Sequence, residues 1–153
     1  MHDPEIHDLS VPDFRHNAEL NRDAIEAIHI GLTEFNQSAQ PDPSASPLVL
    51  VINNAAGSIV AGVLGRSAYG WLRIDIVWVV DERRGKGYGT MLMSRAEEVA
   101  VERGCRGIHL DTHEFQAPAF YEQLGYEVFG KLENYPEGYD RLYFKKELRS
   151  SDA

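Results

Sequence analysis

Between Trp71 and Gly104 the sequence passes from a strand through a glycine loop into a helix, and that order of elements at that spacing leaves few folds open. Trp71 to Val80 is rich in β-branched and aromatic side chains, the composition of a strand. Asp81-Glu82-Arg83 makes a polar turn, and Arg84-Gly85-Lys86-Gly87-Tyr88-Gly89-Thr90 follows. From Tyr88 on, Met91, Leu92, Ala96, Val99 and Ala100 recur at helical spacing, with Arg95, Glu97, Glu98 and Glu102 between them and Gly104 as the stop. Glycines two apart at a helix start leave backbone amides without intrahelical partners and unscreened by Cβ atoms. Those amides and the positive end of the helix dipole predict a site for a phosphate or pyrophosphate. Arg84 and Lys86 put positive charge at the same spot in a chain of formal net charge −9, which points to a specific anionic ligand.

Three readings of the loop compete. A P-loop needs Gly-x-x-x-x-Gly-Lys followed by Ser or Thr, and the sequence has no such run. A dinucleotide fold needs Gly-x-Gly-x-x-Gly; here the third glycine comes one residue early, although Asp111 lies at a strand end about 20 residues downstream, as that fold requires. Hairpin-like strands occupy the first half of the chain, where a dinucleotide fold would place further βαβ units. The third reading is Arg/Gln-x-x-Gly-x-Gly/Ala, which Arg84 to Gly89 match without adjustment. With Val79 to Arg83 before it, this loop resembles the acetyl-CoA signature of the GNAT superfamily of N-acetyltransferases. Beyond the helix come a strand, Gly107 to Asp111, and then Ala117-Pro118-Ala119-Phe120-Tyr121-Glu122-Gln123-Leu124-Gly125-Tyr126. That segment resembles the second signature of the same family, Ala-x-x-Phe/Leu-Tyr-x-x-x-Gly-Phe/Tyr. Two motifs in order, one strand apart, are far more specific than either alone.

The rest of the chain suits a single domain over residues 1–153, long enough for a core. Glu5 to Val11 is a candidate edge strand. Between Asn17 and Gln37 the positions Leu20, Ala24, Ile28, Leu32 and Phe35 make a helical stripe that Asn21 or Asn17 would cap. A proline- and serine-rich loop runs from Gln40 to Pro47. Leu48 to Ile52 and Ile59 to Gly65 read as a hairpin, Tyr126 to Leu132 and Arg141 to Leu148 as closing strands, with an acidic and aromatic loop from Glu133 to Asp140. The order is that of the GNAT fold, an α/β (α+β) architecture. The resemblance implies a mixed, mostly antiparallel sheet of about six or seven strands, flanked by helices, with a splayed parallel strand pair at the CoA cleft. No segment is long and apolar enough to span a bilayer and the start lacks signal-peptide character, so a cytoplasmic location is expected. Cys105 is the single cysteine, which excludes an internal disulfide and a cysteine-based metal cluster. The acidic balance argues against nucleic acid and anionic membrane as partners and leans towards a cationic substrate.

What the resemblance implies for the chemistry is specific. Acetyl-CoA would be the co-substrate, with no metal. Its pyrophosphate would lie on Gly85, Lys86, Gly87, Tyr88, Gly89 and Thr90, with Arg84 beside it, and its pantetheine arm would pair with main-chain groups near Val77 and Val79. Tyr121 would be the general acid that protonates the leaving thiolate; the alternative is a packed aromatic whose hydroxyl bonds a backbone carbonyl. An alkylamine is mostly protonated at neutral pH, so a base is also needed. Asp75 is one candidate, sharing a face with Arg73, Val77 and Val79 by period-two alternation; its alternative is an ion pair with Arg73. Glu34 is the other, with a solvated helix surface as its alternative. Glu114 stands where relatives carry an asparagine that contacts CoA, so it would face the acceptor or cap the following helix instead. His109 and His113 are proton shuttles or structural histidines, Phe120 and Tyr126 core residues, Trp71 and Trp78 core or cleft wall, and Cys105 a buried apolar residue. The Glu133 to Asp140 loop would receive a cationic amine, or be an exposed turn or dimer contact.

The expected activity is direct transfer of an acetyl group to a primary amine of a small molecule or of a protein, by a chain that forms a homodimer, as relatives commonly do. A non-catalytic CoA-binding sensor or regulatory module is the alternative. A nucleotide-binding oxidoreductase fragment is a further rival, which NADH rather than acetyl-CoA would stabilise.

Overall fold

The computed structural model describes residues 21–148, and its elements follow the predicted order: α1 (Arg22–Ala39), β1 (Ser46–Asn53), β2 (Ile59–Ala68), β3 (Trp71–Val79), α2 (Tyr88–Glu102), β4 (Gly107–His113), α3 (Pro118–Gln123), β5 (Glu127–Leu132) and β6 (Arg141–Glu147). The candidate strand at Glu5 to Val11 and the candidate cap Asn17 lie outside the described residues. Two compact units divide the chain, Met1–Pro41 and Asp42–Ala153. In the first, α1 starts where Asn21 accepts a hydrogen bond from the Ala24 amide at 3.0 Å, satisfying one of the amides that a helix start leaves unpaired.

The second unit is built on a six-stranded sheet of order β1-β2-β3-β4-β6-β5. The β1–β2 turn is held by Asn54, whose side chain accepts from the Ala56 and Ser58 amides and so replaces the strand partners lost at the turn. Every neighbouring pair is antiparallel except β3 with β4. The parallel pairing runs only from Trp71↔Gly107 to Ile74↔Leu110. Beyond it β3 continues along β2, and β4 continues along β6, so the two strands part and the implied splay is present.

A second irregularity sits at the same level. The β2–β3 register shifts between Leu64↔Ile76 and Gly65↔Ile74, leaving Asp75 as a bulged residue without a partner on β2. The bulge resets the alternation of β3. Leu72 and Ile74 before it and Val77 and Val79 after it all pack on the core. Asp75 is exposed beside Arg73. The expectation that Asp75 shares a face with Val77 and Val79 is therefore corrected: a bulge adds one residue, and side-chain alternation of period two does not survive it.

The core lies between the sheet and α2, from which Leu92, Met93, Ala96, Val99 and Ala100 pack onto Val63, Leu72, Ile108, Leu110 and Phe144. Arg103, just past α2, ties that helix end to the start of the hairpin by donating to the carbonyls of Ser46 and Pro47 and to the Ser67 hydroxyl. Cys105 is buried, and burial pushes its thiol up, as expected of a packed apolar residue. Phe144 is fully buried on β6 and lies under the Tyr121 ring at 5.8 Å. Replacing it by Ala removes a large side chain from a site with no room to collapse, and we expect a loss of about 3–5 kcal/mol in denaturant unfolding; a loss below about 1 kcal/mol would contradict this packing.

Candidate functional site

The glycine loop ends β3 and starts α2 with an amide surface that no side chain covers. Gly87 is the N-cap of α2, at φ +86°, in the left-handed region that glycine adopts without Cβ strain. It has no capping side chain, in contrast to Asn21 on α1. The first amide of this region to find an α-helical acceptor is that of Met91, bonded to the Gly87 carbonyl at 3.0 Å. The amides of Tyr88, Gly89 and Thr90 precede that bond and lie at the positive end of the dipole. Gly89 brings the loop close to α3: a Cβ there would lie 3.1 Å from the Phe120 ring, tight enough that the ring would have to shift.

Charge around the loop is distributed differently from the expectation. Arg84 turns back, donating from Nε to the Val79 carbonyl at 3.0 Å and pairing through Nη1 with Asp81 at 2.7 Å. Arg83, which the sequence did not single out, donates to the Tyr88 hydroxyl at 2.7 Å and stacks on its ring. A cleft of about 700 Å³ opens in front of the loop and is lined by Val77, Val79, Arg84, Gly85, Gly87, Tyr88, Gly89 and Thr90, with Arg83, Trp78, Phe115, Phe120 and Tyr121 completing it. Lys86, alone of the expected loop residues, does not line it; its side chain is exposed.

The cleft continues into the splay. A smaller cavity of about 250 Å³ shares Val77, Gln116, Ala117 and Tyr121 with the first and adds Ile74, Asp75, Leu110, Asp111 and Thr112. Its β3 wall is an unpaired strand edge. The Val80 amide donates to the Val60 carbonyl at 2.9 Å, so in an antiparallel ladder Trp78 also turns its main-chain groups to β2, while Val77 and Val79 turn theirs the other way. β4 has already left that side, and the Arg84 bond to the Val79 carbonyl shows the direction directly.

Tyr121 stands where the two cavities meet. Its ring is held by Phe120 at 5.0 Å, Phe144 at 5.8 Å and Tyr126 at 6.0 Å. Its hydroxyl has no hydrogen-bond partner among the described residues, and it is not a sealed, unsatisfied group either, so it reaches into the cleft. Burial of the ring pushes the phenol above the usual tyrosine value, which keeps the proton on Oη. Tyr126 is a core residue whose hydroxyl donates to Glu97, while Phe120 is partly buried and lines the cleft.

Two carboxylates line the smaller cavity. Asp75 pairs with Arg73 at 2.8 Å and keeps its side chain 47% exposed. Asp111 is only 16% exposed and is clamped by Arg141 through a bond from Nε at 2.7 Å and a second, very short one from Nη2, with Arg73 at 3.9 Å on its other oxygen. Arg73 thus bridges them. Asp111 entered the sequence reading as a strand-end acid at the spacing of the dinucleotide fold; nothing local marks it as part of this cleft. Glu34, the other candidate base, is on α1 in the unit Met1–Pro41, with its side chain exposed.

Glu114 neither caps α3, whose N-cap Ala117 carries no side-chain bond, nor stands free. Its Oε2 accepts from the Asp140 amide at 2.8 Å, stapling the β4–α3 loop to the Glu133 to Asp140 loop. His113 has both ring nitrogens engaged. Arg141 Nη1 lies 3.1 Å from Nε2, and a guanidinium has only donors, so Nε2 accepts and Nδ1 carries the proton that is donated to the Tyr135 carbonyl at 2.9 Å. His109 stands edge-on to Trp71, and burial, helped by Arg73, pushes its imidazole below the usual value. Among the described residues no group of three or more His, Cys, Asp or Glu side chains is arranged to hold a metal ion, and no helix is long and apolar enough to cross a membrane.

Comparison with known proteins agrees with this geometry. The sequence model of the acetyltransferase (GNAT) family matches residues 4–126. A blasticidin-S acetyltransferase from Streptomyces morookaense is 37% identical over 112 residues, covering 71% of this chain and 82% of its own. The crystal structure of an acetyltransferase from Agrobacterium tumefaciens superimposes with a TM-score of 0.84 at 29% identity, over 89% of this chain and 99% of its own. A streptothricin acetyltransferase structure from Bacillus anthracis, solved in complex with acetyl coenzyme A, has a TM-score of 0.60 at 19% identity over 67% of this chain and 63% of its own, a likeness of fold.

The burial of Tyr121 carries a pH signature. In the unfolded chain a tyrosine ionises near 10.0, and in the fold Tyr121 ionises higher. The unfolded state therefore loses its proton first, and Tyr121 contributes stability that is intact below about pH 10 and is lost as pH climbs through its folded value. Denaturant unfolding between about pH 8 and 11 should show stability falling more steeply above pH 10 in wild type than in Tyr121→Phe; equal slopes would mean that the phenol is solvated like an ordinary surface tyrosine.

Proposed function

The chain belongs to the GNAT acetyltransferase family, and from that premise we propose that it transfers the acetyl group of acetyl-CoA to a primary amine by direct attack. The observation that carries the reading is the continuity of one cleft, which joins the uncapped amides at the start of α2, the outward amides of Val77 and Val79, and the free hydroxyl of Tyr121.

Acetyl-CoA supplies the activated acetyl group as a thioester. The loop amides fit its pyrophosphate, with Arg83 and Arg84 on the cleft wall, and the outward amide of Val77 and those near it fit the amides of the pantetheine arm as a short added strand would. That places the thioester at the splay, beside Tyr121. Here the amine nitrogen bonds to the acetyl carbon, the carbon–sulfur bond breaks, and Tyr121 Oη gives its proton to the departing sulfur. The proton shed by the amine goes to Asp75, directly or through water. Of the two carboxylates in the cavity, Asp75 is half-exposed and bonded by one arginine, while Asp111 is mostly buried and takes both bonds from Arg141 on Oδ1. Glu34 is kept as the alternative base. No cysteine lines the cleft, so an acetyl-enzyme has no thiol to form on.

Amine-dependent release of free thiol from acetyl-CoA, followed across a panel of primary amines, tests the reading. Tyr121→Phe is expected to lower kcat by about 10²- to 10³-fold with acetyl-CoA affinity retained. Acetyl-CoA binding without amine-dependent release would favour the non-catalytic sensor instead, and an unchanged kcat in Tyr121→Phe would remove Tyr121 from its role.

A further inference from the structure

At the mouth of the cleft the β4–α3 loop and the β5–β6 loop build a stack of rings. His113 is sandwiched between Phe115, at 4.9 Å and 11°, and Tyr135, at 5.3 Å and 9°. Phe115 meets Tyr139 edge to face, at 5.4 Å and 81°. The inner members of the stack are used up. His113 is bonded through both nitrogens, and Tyr135 carries Arg141 5.2 Å from its ring centroid while its carbonyl takes the His113 proton. The outer two are not: Phe115 is 53% exposed and lines the large cleft, and Tyr139 is 47% exposed. Both are held in place, Phe115 by the His113 stack and Tyr139 by main-chain bonds with Tyr135 and Pro136 across the turn. Two rings meeting at a right angle form a corner whose π faces attract a cation.

The charge of the same turn agrees. Glu133 and Asp140 are within ion-pair reach of Lys131, but Glu137, two residues before Tyr139, is exposed and has no ion pair among the described residues. Around it lies a chain of net charge −9.

We propose that Phe115 and Tyr139 receive a cationic group of the amine acceptor, with Glu137 as its counter-charge. The inference rests on the amine-acetyltransferase reading and sharpens it. The amine that attacks must be uncharged, so the cation at the rings is a second centre, and the acceptor is a small molecule with at least two basic groups. Phe115 and Tyr139 thereby act on acceptor selection, leaving acetyl transfer itself to the residues at the splay.

Two measurements on the full chain test it, the first independent of turnover. Binding of choline is compared with that of its neutral carbon isostere 3,3-dimethylbutan-1-ol by calorimetry, in wild type, Phe115→Leu and Tyr139→Leu, each checked for an unchanged fold by circular dichroism. Wild type is expected to prefer choline by about fivefold or more, and each variant to lose that preference. The second measurement uses ω-aminoalkyl-trimethylammonium ions, which carry one reactive amine and one fixed cation, over chains of three to six methylenes. Both variants should raise KM for the best of these about fivefold, and Tyr139→Leu, whose ring does not line the acetyl-CoA cleft, should do so with KM for acetyl-CoA and kcat unchanged. Equal affinity for the two isosteres, a preference that survives in both variants, or a rise in KM for acetyl-CoA in place of the amine would each overturn the proposal. If wild type prefers choline but releases no thiol with any amine, the acetyl-transfer reading fails while the cation corner stands; if turnover is robust and the isosteres bind alike, only the corner fails.

Discussion

The parallel pairing of β3 with β4 stops at Ile74↔Leu110, and the rest of the site depends on that stop. A buried strand edge with unpaired amides and carbonyls is costly. Here it is tolerated because the edge faces an open cleft, and because β2 on one side and β6 on the other keep the two strands in the sheet after they part. The bulge at Asp75 falls at the same level, increasing the local twist of β3 away from β4. The result is a slot in an otherwise continuous sheet, with the amides of Val77 and Val79 turned towards the cleft. The glycine loop lies at the far end of the same strand, so the loop amides and the splay are held relative to each other by one element.

Charge is placed to match. At the loop, the positive pole of α2 and the guanidinium groups of Arg83 and Arg84 face one end of the cleft. At the splay, Asp75 and Asp111 face the other, bridged by Arg73 and anchored through Arg141 to the His113 stack. A single network of side chains thus runs from the candidate base to the aromatic corner. Glu114 adds a backbone staple between the two loops that carry the rings. Positive charge at one end and paired carboxylates at the other give the cleft an electrostatic polarity along its length.

How far the sequence revealed this depended on the range of the interactions. The loop was legible because Gly85 and Gly87 answer a local demand, a positive φ. The second motif was legible for the same reason, since α3 and the turn at Gly125 lie within one short stretch. The face of Asp75 was misread because a bulge is set by the partner strand, and no pattern within β3 announces it. Arg84 and Lys86 were assigned by their charge and by the loop motif, yet Arg84, on the cleft wall, is engaged by Asp81 and the Val79 carbonyl, and Lys86 is exposed and does not line the cleft. Asp111 and the His113 stack could not be read at all. Asp111 meets Arg141, thirty residues on, and His113 meets the Tyr135 carbonyl; such contacts exist only once β4 and β6 have paired.

The central claim is that one ligand lies along the β3 edge from the glycine loop to the splay, and amide hydrogen exchange with and without acetyl-CoA examines it residue by residue. The expected result is protection at the amides of Val77, Val79 and Gly85 to Thr90, with little change along β1 and β5. Protection confined to Gly85 to Thr90, with the β3 edge exchanging as freely as before, would show that only a phosphate is held and that the splay is not where the thioester lies; no protection at either place would contradict the site altogether.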